Sequence, residues 1–307
     1  MFQPSYINLY KTGKLFERIE KARIVLKECQ ICPRRCKVNR LENNMGICKA
    51  GILPKVSSYS PHFGEESPLV GRHGSGTIFI TSCNLGCVFC QNSDISHSRN
   101  GHEISPERFA QIMIELQHSG CHNINFVTPT HVLPQILEAL PIAIKEGLKI
   151  PLVYNTGGYD LVETLQLVEG VFDIYMPDFK FSDNEIANLL CKARDYPHVV
   201  MSAIREMYRQ VGDLVVNDYG IAEKGLIVRH LIMPNGLAGT RKVMQFLAQE
   251  ISPHTYVNIM DQYHPCYLSH KYSEINRRIN DEEFENALQI AWEEGIHRLD
   301  SRMNIHP

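Results

Sequence analysis

The sequence predicts an α/β fold, a partial (β/α)6 barrel similar to the TIM barrel, with a cysteine-rich extension at its N-terminus. Six short apolar segments rich in β-branched residues are each bounded by polar, Gly or Pro residues, as buried strands are. Helical patterns separate these segments, and this alternation is typical of parallel β/α units with right-handed crossovers. Six units favour a partial barrel over an open sheet, although the alternation alone leaves both arrangements open.

The predicted strands show where functional residues are expected, because chemistry in β/α barrels lies in loops that follow the carboxyl ends of strands. A helix after the first strand is predicted to begin at Ser105-Pro106, an N-cap followed by proline, and to end at Gly120. Asp281 is predicted to cap a last helix that ends at Gly295. The six strands are predicted at Thr77–Thr81, Asn123–Thr128, Pro151–Thr156, Val171–Met176, Leu226–Met233 and Tyr256–Met260.

Two regions are predicted along the chain. Residues 1–75 form a cysteine-rich, metal-binding extension, which ends in a loop-like stretch around Ser57–Gly76. Residues 76–307 carry the barrel and the C-terminal helices. The break is placed where the basic, cysteine-rich composition gives way to the repeated strand and helix pattern.

The composition is that of a soluble globular protein, with 44% hydrophobic and 21% charged residues. The net charge of −3 gives no reason to expect nucleic acid as a partner. No apolar run approaches the roughly 20 residues that cross a bilayer, so a membrane partner is not expected either. Since the N-terminus lacks the apolar core of a signal peptide, we expect a cytoplasmic protein.

The ten cysteines are spread unevenly, and seven of them fall between Cys29 and Cys90. Clustered cysteines in a reducing compartment bind metal or carry out chemistry more often than they form disulfides. Cys121, Cys191 and Cys266 stand singly and are interpreted as small buried hydrophobic residues.

Cys83, Cys87 and Cys90 follow directly on the first predicted strand. Their C-x3-C-x2-C spacing lets three thiolates surround one compact cluster, and a four-iron cubane held by three cysteines keeps one iron open. A structural zinc site or an ordinary electron-transfer cluster would want a fourth ligand nearby. The next fifteen residues supply only His97 and His102, so the triplet favours a [4Fe–4S] cluster with an open iron over these alternatives.

The triplet resembles the signature of the radical S-adenosylmethionine (SAM) superfamily, including the aromatic Phe89 before the third cysteine. The resemblance implies a [4Fe–4S] cluster whose open iron is chelated by the amino and carboxylate groups of SAM. It also implies that one electron from the reduced cluster cleaves the sulfonium to methionine and a 5′-deoxyadenosyl radical, which abstracts hydrogen from a substrate.

Between Gly74 and Asp261 the chain is similar to the activating enzymes of pyruvate formate-lyase and their uncharacterised relatives. Those activases carry Gly-Gly-Glu-Pro after the second strand, where this chain has Thr128-Pro129-Thr130-His131, so their glutamate is absent. The resemblance implies a set of SAM-binding residues in the cysteine loop and at the strand ends. They are Phe89, Thr128, Thr130, Asn155, Asp178, Lys180 and Arg229.

The polar residues after the second and third strands each have a structural alternative. The Thr128–His131 segment would equally cap the following helix. Asn155 belongs to an Asn-Thr-Gly-Gly sequence that is similar to the Asp-Thr-Asn-Gly turn of the activases, but Gly157-Gly158 also predicts a plain left-handed turn.

The charged residues of the later strands have alternatives as well. Asp178 and Lys180 are two residues apart, so both would face the site, or they form an exposed ion pair. Arg229 lies among apolar residues and needs a buried partner, for which Asp173 and Asp178 compete with the carboxylate of SAM.

A second thiol set lies in the extension. Its spacing, C-x2-C-x3-C-x11-C, completes a closed tetrahedral site for zinc or a second iron–sulfur cluster. Such a site is more often structural, electron-relaying or partner-binding than catalytic. The four predicted ligands are Cys29, Cys32, Cys36 and Cys48.

The leading functional hypothesis is a radical SAM oxidoreductase that generates a glycyl radical on a partner protein, as the resemblance to the activases implies. A reductant such as flavodoxin or ferredoxin would be its second partner. The alternative enzyme is a radical SAM catalyst that modifies a small molecule or a peptide. A third, non-enzymatic interpretation is a metal-stabilised binding protein in which both cysteine sets are structural.

Overall fold

The computed structural model describes residues 2–300 of the 307-residue chain. Its strands are β1 (Lys55–His62), β2 (Ser75–Ile80), β3 (His102–Glu103), β4 (Ile124–Val127), β5 (Leu152–Thr156), β6 (Ile174–Pro177), β7 (Val215–Val216), β8 (Ala222–Leu231) and β9 (Tyr256–Met260). Its helices are α1 (Ser5–Lys11), α2 (Lys14–Val25), α3 (Ser67–Val70), α4 (Ser93–Ser96), α5 (Pro106–His118), α6 (Leu133–Lys145), α7 (Val162–Leu167), α8 (Asn184–Cys191), α9 (Tyr196–Val211), α10 (Thr240–Phe246) and α11 (Asp281–Glu293).

The strands form one mixed sheet in the order β3-β1-β2-β4-β5-β6-β8-β7, with β9 joined to β8. The series β2, β4, β5, β6, β8 and β9 is parallel throughout. These strands lie where the six predicted strands were placed, so the α/β fold is confirmed. Strand β1 and the two-residue strands β3 and β7 are antiparallel to their neighbours. Closure of the parallel series into a partial barrel stays a prediction.

The two faces of the parallel sheet bury different sets of side chains, because successive residues of a strand point to opposite sides. One face packs against the helices in the main hydrophobic core, which includes Phe126, Tyr154, Tyr175 and Val228. The other face forms a separate small apolar cluster. That cluster consists of Leu69, Val153, Ile174, Met176, Leu214, Ala222, Ile227 and Tyr256.

The polar residues of the site lie on the same face of the sheet as the small apolar cluster. They are two residues closer to the carboxyl ends of the strands. Two residues beyond Val153, Met176 and Ile227 come Asn155, Asp178 and Arg229. The period of two therefore puts an apolar floor beneath a ring of polar groups at the carboxyl edge of the sheet.

The N-terminal extension is joined to this sheet through backbone and side-chain hydrogen bonds. The backbone N–H of Ser5 donates to Asp173 Oδ1 at 2.9 Å, and the Tyr6 hydroxyl donates to the Ile150 carbonyl at 2.9 Å. The prediction of a loop around Ser57–Gly76 is wrong in part, because most residues of β1 pair with β2. β3 pairs only with Lys55 and Val56, so the rest of β1 is paired with β2 alone, a position where serine and proline are tolerated. The division at residue 75 stays a prediction.

The two helix starts discussed above differ in outcome. The Ser105 side chain accepts a hydrogen bond from the Arg108 backbone N–H and caps α5, as predicted. In α11 the N-cap is Asn280 and not Asp281. Asn280 and Glu283 form a reciprocal capping box, which satisfies two backbone donors where Asp281 would satisfy one.

Within residues 2–300, no helix has the length and apolar character that crossing a membrane requires.

The buried histidine of β8 predicts an acid-sensitive contribution to stability. His230 is fully buried, with Nδ1 2.7 Å from the Phe179 carbonyl and Nε2 3.0 Å from Thr240 Oγ1. Burial lowers the pKa of His230 to about 4. The unfolded chain therefore binds the extra proton between about pH 6.5 and pH 4, and stability falls as the pH falls through that window.

Glutamine cannot titrate in this range. Between pH 7 and pH 5 we therefore expect the free energy of unfolding of His230→Gln to fall by roughly 2 kcal/mol less than that of the wild-type protein. The measurement is the free energy of unfolding from anaerobic urea titrations at both pH values. His118→Gln, at an exposed position of α5, serves as the matched control and should keep the wild-type pH dependence. An unchanged pH dependence in His230→Gln would contradict the assignment.

Candidate active site

A cavity of about 150 Å³ opens at the carboxyl edge of the parallel strands. The loop after β2 and the ends of β4, β5, β6 and β8 form its walls. The predicted site residues that line it are Cys83, Cys87, Cys90, Thr128, Asn155, Asp178, Lys180 and Arg229. A wider groove of about 640 Å³ between α10 and α11 contains none of the predicted site residues.

The three cysteines of the loop after β2 share this cavity. Cys83 Sγ accepts a hydrogen bond from the Leu85 backbone N–H at 3.3 Å, and Cys90 Sγ lies 3.1 Å from the Ser96 hydroxyl. Burial, with a contribution from Cys87, raises the pKa of Cys83 to about 12. Three buried thiols around one cavity, with hydrogen-bond donors directed at two of the sulfurs, fit a cluster held by three cysteines.

Cys191, interpreted from the sequence as a plain buried residue, lies beside this loop. Its Sγ is 3.2 Å from Cys87 Sγ, and its carbonyl accepts from the Gly86 N–H. The hydrogen bond with Cys191, together with burial, raises the pKa of the Cys87 thiol well above its usual value. Cys191 contacts the Cys87 sulfur but is not among the residues that line the cavity. We therefore describe it as a hydrogen-bonding neighbour of Cys87.

The charged centre of the cavity is a single carboxylate held between two cations. Asp178 Oδ1 accepts from Arg229 Nε at 2.7 Å, and its Oδ2 accepts from Lys180 Nζ at 2.5 Å. Arg229 also donates to Asn155 Oδ1 at 2.6 Å. Burial alone would raise the pKa of Asp178, but Arg229 and Lys180 outweigh it and hold that pKa below its usual range. Of the partners considered for Arg229 within the protein, Asp178 is the one the structure shows.

Asp173 has a different role. Its Oδ1 accepts from the Ser5 backbone at the start of α1, and burial raises its pKa to about 6. It lies before β6, at the opposite end of that strand from Asp178.

Glu66, which precedes α3, is a further buried acid close to this centre. Its side chain is 3% exposed, and its Oε1 accepts from Asn258 Nδ2 at 2.9 Å. Asn258 lies opposite Arg229 in the β8–β9 pairing. Burial raises the pKa of Glu66, although the positive charge of Arg229 opposes the shift. Its Oε2 has no hydrogen-bonding partner among the described residues.

Tyr196, the first residue of α9, holds two of the cavity loops together. Its hydroxyl lies 2.8 Å from the Asp178 carbonyl and 3.0 Å from that of Gly157, and it accepts from the Lys180 N–H at 3.0 Å. Gly158 has a φ of 78°, and a Cβ there would lie 2.4 Å from the Asp178 carbonyl. The loop after β5 can therefore approach Asp178 this closely only with glycine at position 158.

Three other predicted SAM-binding residues differ in their placement. Thr128 lines the cavity with a φ of 61°, a conformation that is unfavourable for a β-branched residue. Thr130 is fully buried and is not among the residues that line the cavity. Its hydroxyl donates to Asp160 Oδ1 at 2.7 Å. Phe89 is also outside the lining and packs edge-to-face on Phe181, with ring centroids 5.7 Å apart.

The second thiol set converges on a small separate cavity. Cys29 and Cys32 are buried, and Cys36 and Cys48 are half-buried. All four line the cavity together with Arg40 and His131. Burial raises the pKa of Cys32 to about 12. Among residues 2–300, no group of three or more His, Cys, Asp or Glu side chains already stands in an arrangement that would hold a metal ion.

The fold and the three-cysteine cavity define a class of protein in which a cluster is bound at the carboxyl edge of a parallel sheet. Residues 77–223 match the family model of the radical SAM superfamily. A Methanocaldococcus jannaschii protein described as uncharacterized is 37% identical over 294 residues, which cover 92% of this chain and 79% of that protein.

One solved structure has a similar fold, and a second was matched at a lower TM-score. A radical SAM methyltransferase from Sphaerobacter thermophilus superposes with a TM-score of 0.51 at 16% identity, over 75% of this chain and 67% of that one. A Streptococcus suis protein bound to its precursor peptide has a TM-score of 0.49 at 13% identity, over 69% of this chain and 44% of that one. Residues 77–223 of this chain therefore form a radical SAM superfamily domain, and this family implies a [4Fe–4S] cluster and SAM.

Sequence reasoning missed Glu66, Cys191 and Tyr196. Each contacts the site through residues that are far away in the chain, as in the 104-residue separation between Cys87 and Cys191. The one local signal was the pair of adjacent acids, Glu65 and Glu66, just before the first parallel strand.

The charge balance of the cavity predicts the result of neutralising Asp178. Asp178→Asn leaves Arg229 and Lys180 buried without their counter-charge, and we expect a loss of about 3–5 kcal/mol in the free energy of unfolding. Glu185→Gln is the matched control, because its pair with Arg194 is exposed and is worth at most about 1 kcal/mol. Urea titrations that give equal losses for both variants would refute the prediction.

Cys191 is expected to set the reduction potential of a cluster bound to Cys87. Once iron replaces the proton on Cys87, the hydrogen bond must run from the Cys191 thiol, and donors to cluster sulfurs raise the potential. A bond of about 1 kcal/mol corresponds to roughly 40 mV for one electron, so Cys191→Ala should lower the potential by about that much.

The measurement for Cys191→Ala is a redox titration followed by electron paramagnetic resonance without SAM. Cys121→Ala, another buried cysteine, is the control and should leave the potential unchanged. A potential that stays constant or rises in Cys191→Ala would rule out the hydrogen bond as a determinant.

Proposed function

We propose that this chain reductively cleaves SAM at a [4Fe–4S] cluster held by Cys83, Cys87 and Cys90. One observation carries the proposal: the three thiols line the same cavity as Asn155 and the Asp178–Arg229–Lys180 centre. When bound, the cluster supplies the electron that splits the sulfonium of SAM into methionine and a 5′-deoxyadenosyl radical.

The two cations of the centre are suited to bind the carboxylate of SAM. Asp178 neutralises one of the two positive charges of Arg229 and Lys180, so the centre itself retains a net charge of +1. A carboxylate placed against this centre completes its charge balance in a partly desolvated site. Asn155, already held by Arg229, has its amide NH2 group left to donate to the same ligand.

The remaining residues of the site position these groups and exclude water. Phe79, Ile80 and Val127 provide apolar walls at the strand ends. Tyr196 joins the loops that carry Asp178 and Gly157, which keeps the lysine and the aspartate in register. Phe89 supports the cysteine loop from behind through its packing on Phe181 and Tyr263.

The 5′-deoxyadenosine assay tests this function. Reconstituted protein with SAM and dithionite should form 5′-deoxyadenosine and methionine, and Cys83→Ala should form less than a hundredth as much because the cluster loses one of its three protein ligands. Cys121→Ala should retain wild-type turnover. Absence of 5′-deoxyadenosine from the wild-type protein, at full iron loading, would refute the proposal.

For the target of the radical, we propose a glycyl residue of a partner protein, with flavodoxin or ferredoxin as reductant in the cytoplasm. Support comes from the resemblance of the Asp178-x-Lys180 and Arg229 positions to the activases. Co-expression with a candidate glycyl radical enzyme should give the doublet of a glycyl radical in the electron paramagnetic resonance spectrum. If 5′-deoxyadenosine forms but no such doublet appears, the target is a small molecule or a peptide instead.

A further inference from the structure

The cavity that holds the second thiol set joins the extension to the barrel. Cys29, Cys32, Cys36 and Cys48 come from the extension, whereas His131 follows β4 and belongs to the barrel. The cavity is small, with a volume of about 10 Å³. It is separate from the site of the proposed SAM chemistry, since the two cavities share no lining residue.

The His131 ring has one nitrogen bound and one nitrogen without a partner. Its Nε2 lies 2.8 Å from the Thr81 carbonyl, which can only accept, so Nε2 carries the hydrogen. Nδ1 therefore carries no hydrogen and has a free lone pair. This nitrogen has no hydrogen-bonding partner among the described residues, although the His131 side chain is fully buried. A histidine that donates one ring N–H to a backbone carbonyl and presents the other nitrogen bare has the arrangement of a metal ligand.

Arg40 gives an independent indication that the cavity holds negative charge. It is 1% exposed, and its guanidinium donates to the carbonyls of Gly51 and His131. No carboxylate within residues 2–300 pairs with it. A buried guanidinium requires a counter-charge, and the neighbouring thiolates provide one only if they stay deprotonated, as metal-bound thiolates do.

Two features of the backbone around the cysteines suit a metal-binding loop. Cys36 Sγ accepts from the Ile47 backbone N–H at 3.4 Å, which is a contact that thiolate sulfurs favour. Lys37 and Lys49, each directly after a cysteine, have φ values of 55° and 57°. These left-handed residues turn the chain so that the backbone faces the sulfurs.

We propose that this cavity binds a metal centre, zinc or an iron–sulfur cluster, with His131 Nδ1 as a ligand from the barrel beside cysteines from the extension. Four coordination positions are filled by three thiolates and the imidazole, and the fourth cysteine is a hydrogen-bonding neighbour, as Cys191 is to Cys87. The centre connects through His131 to the Thr81 carbonyl, two residues before Cys83. It thereby holds the extension against the loop of the SAM site.

The test uses the full chain with Cys83, Cys87 and Cys90 all replaced by Ala, so that any bound metal reports on the second site alone. Elemental analysis should find about one zinc ion or one cluster per chain. X-ray absorption for zinc, or pulsed electron paramagnetic resonance with ¹⁵N-histidine for a reduced cluster, should detect one nitrogen ligand. This readout does not depend on SAM cleavage, so its failure is distinct from failure of the proposed function.

His131→Gln and His230→Gln form the matched pair for this test. Glutamine at position 131 keeps an amide donor for Thr81 but has no nitrogen in place of Nδ1, so the nitrogen signal should vanish. His230→Gln, at an equally buried histidine whose two nitrogens are both bound within the protein, should retain the signal.

Two results would overturn the proposal: a metal centre with sulfur ligands only, or folded protein with less than a tenth of a metal equivalent per chain. If the three-alanine chain does not fold, ¹⁵N-histidine labelling of the wild-type holoprotein without SAM replaces it. In that measurement the histidine coupling should again be lost in His131→Gln, and an unchanged spectrum would count against His131.

Discussion

The ion pair between Asp178 and Arg229 is the interaction on which the rest of the site depends. It crosses from the end of β6 to β8 and continues to Asn155 at the end of β5, so three neighbouring strands meet through one set of charges. These charges lie above an apolar layer on the same face of the sheet, which excludes water from below. In such surroundings a guanidinium is stable only with a partner, and the partner fixes where each strand end lies.

The sequence predicted the parallel series and the positions of its polar strand ends because both follow from local patterns. Short β-branched segments indicated the strands, and the period of two indicated which residues face the same side. Asn155, Asp178 and Arg229 were singled out by the resemblance to the activases and lie at these strand ends, and the cysteine triplet was found from its spacing. The partner of Arg229 was left open, since no local pattern distinguishes Asp173 from Asp178.

The residues that sequence reasoning missed are those whose role arises only from tertiary contact. Cys191 ends a helix and has an unremarkable neighbourhood in the chain, yet its sulfur contacts Cys87. Tyr196 begins another helix and bonds to two loops through its hydroxyl. β1 was missed for a related reason, because most of its length is stabilised by pairing with β2 and needs little apolar patterning of its own.

Both cysteine cavities place buried cationic side chains beside buried thiols. In the cavity of the SAM site, Lys180 and Arg229 exceed the single carboxylate of Asp178 by one positive charge, and in the cavity of the extension Arg40 has no carboxylate partner within the described residues. Glu65 and Glu66 also lie close enough to Arg229 to interact with its charge, and burial raises the pKa of Glu66. Buried cations beside buried thiols are unstable in isolation, because each cation lacks an anion and each thiol resists ionisation. A thiolate-bound metal centre in each cavity, as proposed above, would resolve both problems at once. Buried cations beside cysteine thiols thus favour anionic, thiolate-ligated groups in both cavities.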